Sequence, residues 1–88
     1  MTRFAVLVEV ALRPGIADPQ GATIERALPA LGFSGVSDVR AGKAFRFVLD
    51  AADEQAARGE AERLCQRLLA NPVIEDATVS LRALEVAP

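Results

Sequence analysis

The sequence predicts an α+β domain of order β-α-β-β-α-β, in which an antiparallel sheet carries two helices on one face. Three observations carry this expectation. Apolar residues alternate from Phe4 to Leu12, two stretches of helical spacing each open on an Asp, and an apolar Phe45 to Leu49 follows a glycine turn. With 88 residues in all, the chain is expected to form a single domain, 1–88.

In the first strand Phe4, Val6, Val8, Val10 and Leu12 share one face, and Ala5, Leu7, Glu9 and Ala11 share the other. The second face is itself half apolar, which an open antiparallel sheet does not require. Arg13 to Ala17 follows as a loop, with Pro14-Gly15 suited to the middle of a tight turn. Asp18-Pro19 then starts a helix, the carboxylate accepting free N–H groups and Pro standing where its missing donor is harmless. Ile24, Ala27, Leu28 and Leu31 line one face, Pro29 forces a kink or a tightened last turn, and Gly32 closes the helix in a left-handed conformation.

Val36 to Ala41 and Phe45 to Leu49 read as a hairpin around Gly42-Lys43. A three-residue loop pairs Ala41 with Phe45 and Val39 with Phe47, and Gly42 supplies a positive φ. Asp53 caps the second helix, with Ala57, Ala61, Leu64, Cys65 and Leu68 on its apolar side and Glu54–Arg58 and Arg58–Glu62 pairs outside. Asn71-Pro72 ends it, and a last strand from Val73 to Val86 follows, long for so small a sheet. The order is that of the split βαβ, or ferredoxin-like, arrangement. The overlong last strand and the half-apolar second face of the first predict sheet surface or edge shared with another chain, in an obligate oligomer.

Composition removes several functions. The chain has no His and one Cys, so it lacks His-based acid/base pairs, His/Cys metal clusters and Cys/His nucleophiles. Cys65 reads as a small core residue. Ten basic against twelve acidic residues, with a pI near 5.0, give no electrostatic reason for nucleic-acid or anionic-membrane binding. The run Phe4 to Val8 is too short to span a membrane and has no signal-peptide layout, so a cytoplasmic protein is expected.

Few residues remain as candidate sites. Phe45 and Phe47 alternate as base-stacking aromatics do, but core packing explains them as well without a basic stripe. Arg40, Gly42 and Lys43 form a basic turn that could hold a phosphate or a partner's carboxylate, or serve solubility alone. Asp18 brings its own negative charge to a helix start, which favours capping over anion binding. Glu75 and Asp76 fall on opposite faces of a strand and make a poor acid/base pair. No catalytic residues emerge.

The pieces Asp18-Pro19-Gln20-Gly21, Thr23-Ile24, Ala27-Leu28, Leu31-Gly32-Phe33, Val39-Arg40-Ala41-Gly42-Lys43 and Leu69-Ala70-Asn71-Pro72-Val73-Ile74-Glu75 resemble, in order and spacing, the PurS family. That family is the small subunit of phosphoribosylformylglycinamidine synthase, and the resemblance covers nearly the whole chain. It implies a cytosolic complex of de novo purine biosynthesis that converts formylglycinamide ribonucleotide into formylglycinamidine ribonucleotide. In such a complex a glutaminase subunit, PurQ, releases ammonia, a large subunit, PurL, carries out the ATP-dependent step, and PurS dimers bridge them.

The resemblance also implies that ATP, Mg and glutamine are used by the partner subunits, and that this chain binds no cofactor itself. A homodimer is implied, with a tetramer as a further arrangement. The positions carried over are Asp18, Pro19, Gln20 and Gly21 at the first helix start, Arg40, Gly42 and Lys43 at the turn, and Asn71, Ile74 and Glu75 before the last strand, all assigned to fold-defining turns and partner docking. Two residues depart from the pattern: Ala77, where the family often has an aromatic, and Pro29, which interrupts a helix. The competing reading is a ferredoxin-like sensor that binds an amino acid or nucleotide at a dimer interface, which would need converging polar groups in a concave pocket.

Overall fold

The computed structural model describes residues 1–84. Strand β1 (Thr2–Leu12) leads to helix α1 (Pro19–Ala27) and a 3₁₀ turn (Pro29–Leu31); β2 (Gly42–Ala51), α2 (Glu54–Leu64), a π turn (Cys65–Leu69) and β3 (Glu75–Ala83) follow. The sheet is antiparallel, in the order β2-β1-β3. The expected α+β class therefore holds, with two helices and an antiparallel sheet.

The alternation in β1 dictates the core. Phe4, Val6, Val8 and Val10 are buried, with Val6 opposite Phe47 and Leu81 and Val8 opposite Phe45 and Val79. Ala57 and Ala61 of α2 and Cys65 close over them, and side chains this small let the helix lie close to the sheet. Phe45 and Phe47 pack against this core, as expected of core aromatics. Among the described residues, no helix is long and apolar enough to cross a membrane.

The local stop and start signals act as expected. Asp18 accepts the Gly21 amide at 2.9 Å and Asp53 the Ala56 amide at 2.8 Å. Pro29 ends α1 and opens the tightened 3₁₀ turn, which Gly32 closes at φ 95°. Gly15, at φ 87°, makes the turn in which the Ile16 amide donates to the Arg13 carbonyl at 3.1 Å.

Longer-range features differ. Residues 36–41 form no strand, so the predicted hairpin is absent. The reason is competition for donors: the Val39 amide goes to the Glu25 carboxylate and the Ala41 amide to Asp18, each at 2.8 Å. Asp38 takes the positive φ, at 55°, whereas Gly42 begins β2 opposite Ala11. Gly42 is needed for close approach, since a Cβ there would stand 2.7 Å from the Val10 carbonyl oxygen.

Around α2, Arg58 donates to the Val79 carbonyl at 3.1 Å in place of the expected Glu54 and Glu62 pairs, and Arg63 pairs with Glu60. The π turn, closed by the Ala70 amide on the Cys65 carbonyl at 2.9 Å, inserts an extra residue in the last turn. That phase shift turns Leu68 out to solvent and brings Leu69 against the core. Val73 and Ile74 lie in a turn, so β3 starts at Glu75; the Glu85–Val86 end of the expected strand lies outside the described residues.

Helix α1 departs furthest from expectation. It packs extensively against no strand, and Ile24, Leu31, Phe33 and Val36 are exposed. The molecule measures 53 × 32 × 15 Å with a radius of gyration of 17.0 Å. A compact chain of this length would have about 12 Å. The cover over the sheet is thus α2, while α1 projects as an arm.

Candidate partner-docking site

The three sequence motifs converge at one end of the sheet. Pro14-Gly15 turns the chain back after β1, so that Asp18-Pro19-Gln20 lies beside the start of β2, and the turn at 72–74 brings Glu75 to the same end. Val10, Leu12, Asp18, Pro19, Gln20, Ala41, Gly42, Lys43 and Glu75 line a cleft of about 320 Å³.

Asp18 organises one wall. Its two carboxylate oxygens accept the amides of Gly21 and Ala41, and these hydrogen bonds, aided by the Arg40 charge, hold its carboxyl below the usual carboxylate range. Gly21 permits the approach: a Cβ there would stand 2.5 Å from the Val39 carbonyl oxygen. Glu75 organises the other wall. One of its oxygens accepts the Asn71 amide at 2.7 Å and the other lies 3.7 Å from the Lys43 ammonium, which also sits 5.9 Å above the Phe45 ring.

Asn71 and Ile74 lie behind this wall and do not line the cleft. The Asn71 carbonyl accepts the amides of Ile74 and Glu75, and its side chain accepts that of Val73. Arg40 pairs with Asp38 at 3.1 Å and stays largely exposed on the rim. The structure thus gathers Asp18, Pro19, Gln20, Gly42, Lys43 and Glu75 into one wall-and-floor arrangement, with Gly21, Arg40, Asn71 and Ile74 supporting it.

Two residues of this end escape sequence reasoning. Arg13 donates to the Pro72 carbonyl at 2.6 Å and lies 3.2 Å from the Asp76 carboxylate, fastening the end of β1 to the start of β3. Nothing in its loop setting signals that reach. Glu25, which holds Val39, does carry a signal, since Asp18, Gly21 and Glu25 recur at helical spacing along one side of α1.

The chemistry available here is recognition. The carboxylates are consumed as acceptors for backbone amides, and no nucleophile stands beside a base among the described residues. Cys65, buried against the sheet at the C-terminal end of α2, has its thiol pushed up by burial, with Glu62 adding to the effect, and is not an activated nucleophile.

The profile of the PurS family, described as phosphoribosylformylglycinamidine (FGAM) synthase, matches residues 5–83. The chain belongs to the PurS family. The phosphoribosylformylglycinamidine synthase subunit PurS of Synechocystis sp. is 42% identical over 80 residues, covering 91% of this chain and 80% of that one. The crystal structure of Methanocaldococcus jannaschii PurS, one of the subunits of formylglycinamide ribonucleotide amidotransferase, superposes with a TM-score of 0.84 at 35% identity, covering 93% of this chain and 99% of that one. A chain in the structure of PurLQS from Thermotoga maritima gives a TM-score of 0.84 at 33% identity, covering 96% of this chain and all of the other, 100%. PurS relatives thus share the whole described fold, from β1 through β3.

Proposed function

We propose that this chain is the non-catalytic small subunit of phosphoribosylformylglycinamidine synthase in de novo purine biosynthesis. In this reading it bridges a PurQ glutaminase and a PurL synthetase, so that glutamine-derived ammonia reaches the ATP-dependent amidination of formylglycinamide ribonucleotide. The observation that carries it is the end-to-end match to a chain of PurLQS. ATP, Mg and glutamine are used by the larger subunits, the complex works in the cytoplasm, and the small subunit acts as a homodimer.

The contribution to rate is proximity: two active sites held together transfer ammonia without loss to solvent. Within this chain the docking groups are the exposed Arg40, on the segment that Asp18 and Glu25 hold through the Ala41 and Val39 amides, and the half-exposed Lys43, in β2 opposite Val10. The sensor reading has no comparable support, because both carboxylates of the cleft are already engaged, Asp18 by the Gly21 and Ala41 amides and Glu75 by the Asn71 amide and Lys43.

Reconstitution tests the proposal. Adding this chain to PurL and PurQ should restore glutamine-dependent turnover while leaving ammonia-dependent turnover of PurL unchanged. Equal glutamine-dependent activity without it would defeat the bridging role.

A further inference from the structure

The core and α2 occupy one face of the sheet, and the other face is bare. On it Ala5 and Leu7 of β1 are half-buried and Val48 of β2 is 57% exposed. They form the floor of a shallow trough of about 480 Å³ that Arg46, Ser80 and Arg82 also line. A solvated side of an antiparallel sheet is expected to be polar. An apolar floor rimmed by polar groups instead marks a surface that another protein covers.

The register places the rim. Leu7 stands between Arg46 and Ser80, and Ala5 stands between Val48 and Arg82. The two arginines therefore flank the floor diagonally, and two strand spacings with two residues of rise put their Cα atoms about 12 Å apart. Among the described residues neither pairs with a carboxylate, whereas Arg3 on the same face is held by Asp50 at 3.2 Å. The chain has a formal net charge of -2, so this positive spot runs against its overall sign. Glu9 lies one row further on, between Ala44 and Thr78. There a second hollow, of about 510 Å³, joins Glu9, Ala44 and Thr78 to Arg40, so the bare face is continuous with a docking group already named.

We infer that this face seats an acidic amphipathic helix of PurL. Two carboxylates seven residues apart lie on one side of a helix and about 10.5 Å apart along it, which matches the Arg46–Arg82 diagonal. An aliphatic side chain midway between them comes down on Leu7 and Ala5. Each guanidinium offers a carboxylate two parallel N–H donors, which an ammonium cannot do. A second copy laid face to face would bring arginine to arginine, with Glu9 as the one unpaired carboxylate to answer them. PurL, the larger of the two proposed partners, takes the broader of the two docking surfaces. The inference rests on the bridging reading and adds to it a surface and the chemistry of what covers it.

The test uses the complex reconstituted from all three subunits. Arg46→Glu/Arg82→Glu should raise by about a hundredfold the amount of this chain needed for half-maximal glutamine-dependent turnover, because like charges then meet. Arg63→Glu/Arg67→Glu, an equal change of net charge on the α2 side, should leave that amount within about twofold of wild type. Benzoylphenylalanine in place of Val48 should cross-link on illumination to a PurL segment with carboxylates two turns apart. An unchanged requirement in the Arg46 and Arg82 variant, or a cross-link to PurQ or to another copy of this chain, would overturn the inference. A wild-type chain that gives no stimulation at all would defeat the bridging reading, and this one with it. Arg46 and Arg82 are exposed, so circular dichroism of their variant should match wild type. If that variant does not fold, the Val48 cross-link alone decides.

Discussion

The Asp18 carboxylate accepts the Ala41 amide at 2.8 Å across 23 positions of sequence, while its other oxygen caps α1 on Gly21. One side chain therefore sets both the start of the arm and the approach to β2. Asp18→Ala should lower the unfolding midpoint and release protection from hydrogen exchange at Ala41 and Val39 before the core strands. Unchanged exchange at Ala41 would show that the contact carries no weight.

The same carboxylate makes stability depend on pH. Its pKa is lowered in the folded state, so the unfolded chain takes up the proton first as pH falls. The stabilisation is complete above the ordinary Asp range, about pH 4, and is lost as pH drops through the folded value. Urea midpoints of the wild type should therefore fall more steeply below about pH 4 than those of Asp18→Asn.

Two glycines should respond oppositely to Ala. At Gly59 the new Cβ meets just the flexible end of Arg63 at 3.5 Å, so Gly59→Ala should stabilise α2; helix propensity sets the gain at about 0.5–1 kcal/mol. At Gly21 the Cβ stands 2.5 Å from the Val39 carbonyl oxygen. Gly21→Ala should therefore be destabilising by about 1–3 kcal/mol, overpacking outweighing propensity. Chemical denaturation of the two variants gives the signs directly.

Cys65 should be slow to react. Burial between the end of α2 and the sheet raises its thiol above the ordinary value, so little thiolate is present near neutral pH. Alkylation of the native protein followed by mass should be at least about tenfold slower than in denaturant. Equal rates would mean that α2 opens freely.

The docking groups have a functional readout. Arg40→Ala/Lys43→Ala should raise by about tenfold the amount of this subunit needed for half-maximal glutamine-dependent turnover in the reconstituted complex, a loss of one or two charge-assisted contacts. Ammonia-dependent turnover should not change. An unaltered requirement would move docking to another surface.

What the sequence made legible was local. As caps and stops, Asp18-Pro19, Pro29, Gly32 and Asp53 each work within one helical turn and behave as their chemistry dictates, whereas the reach of Asp18 to Ala41 has no local sign. The absent strand at 36–41 was not legible, because the groups that take its amides, Asp18 and Glu25, belong to another element. Leu68 falls on the apolar stripe of α2 in sequence yet faces solvent for a related reason: the π turn that rotates it outward leaves the helical spacing of its sequence unchanged. At the candidate site the motifs were visible through family resemblance, and residue chemistry alone marked little more than a basic turn. Arg13, whose bonds reach residues 59 to 63 positions away, had no local signature at all.

The thin form of the molecule, 15 Å in its least dimension, has a mechanical consequence. Ten successive residues of β1, Thr2 to Ala11, are paired in unbroken register to β2, and nine, Phe4 to Leu12, to β3. Such a ribbon resists stretching along its strands but has little depth to resist twisting. Set between two larger bodies, it would fix their separation while letting them turn relative to each other, acting as a strut and not a clamp.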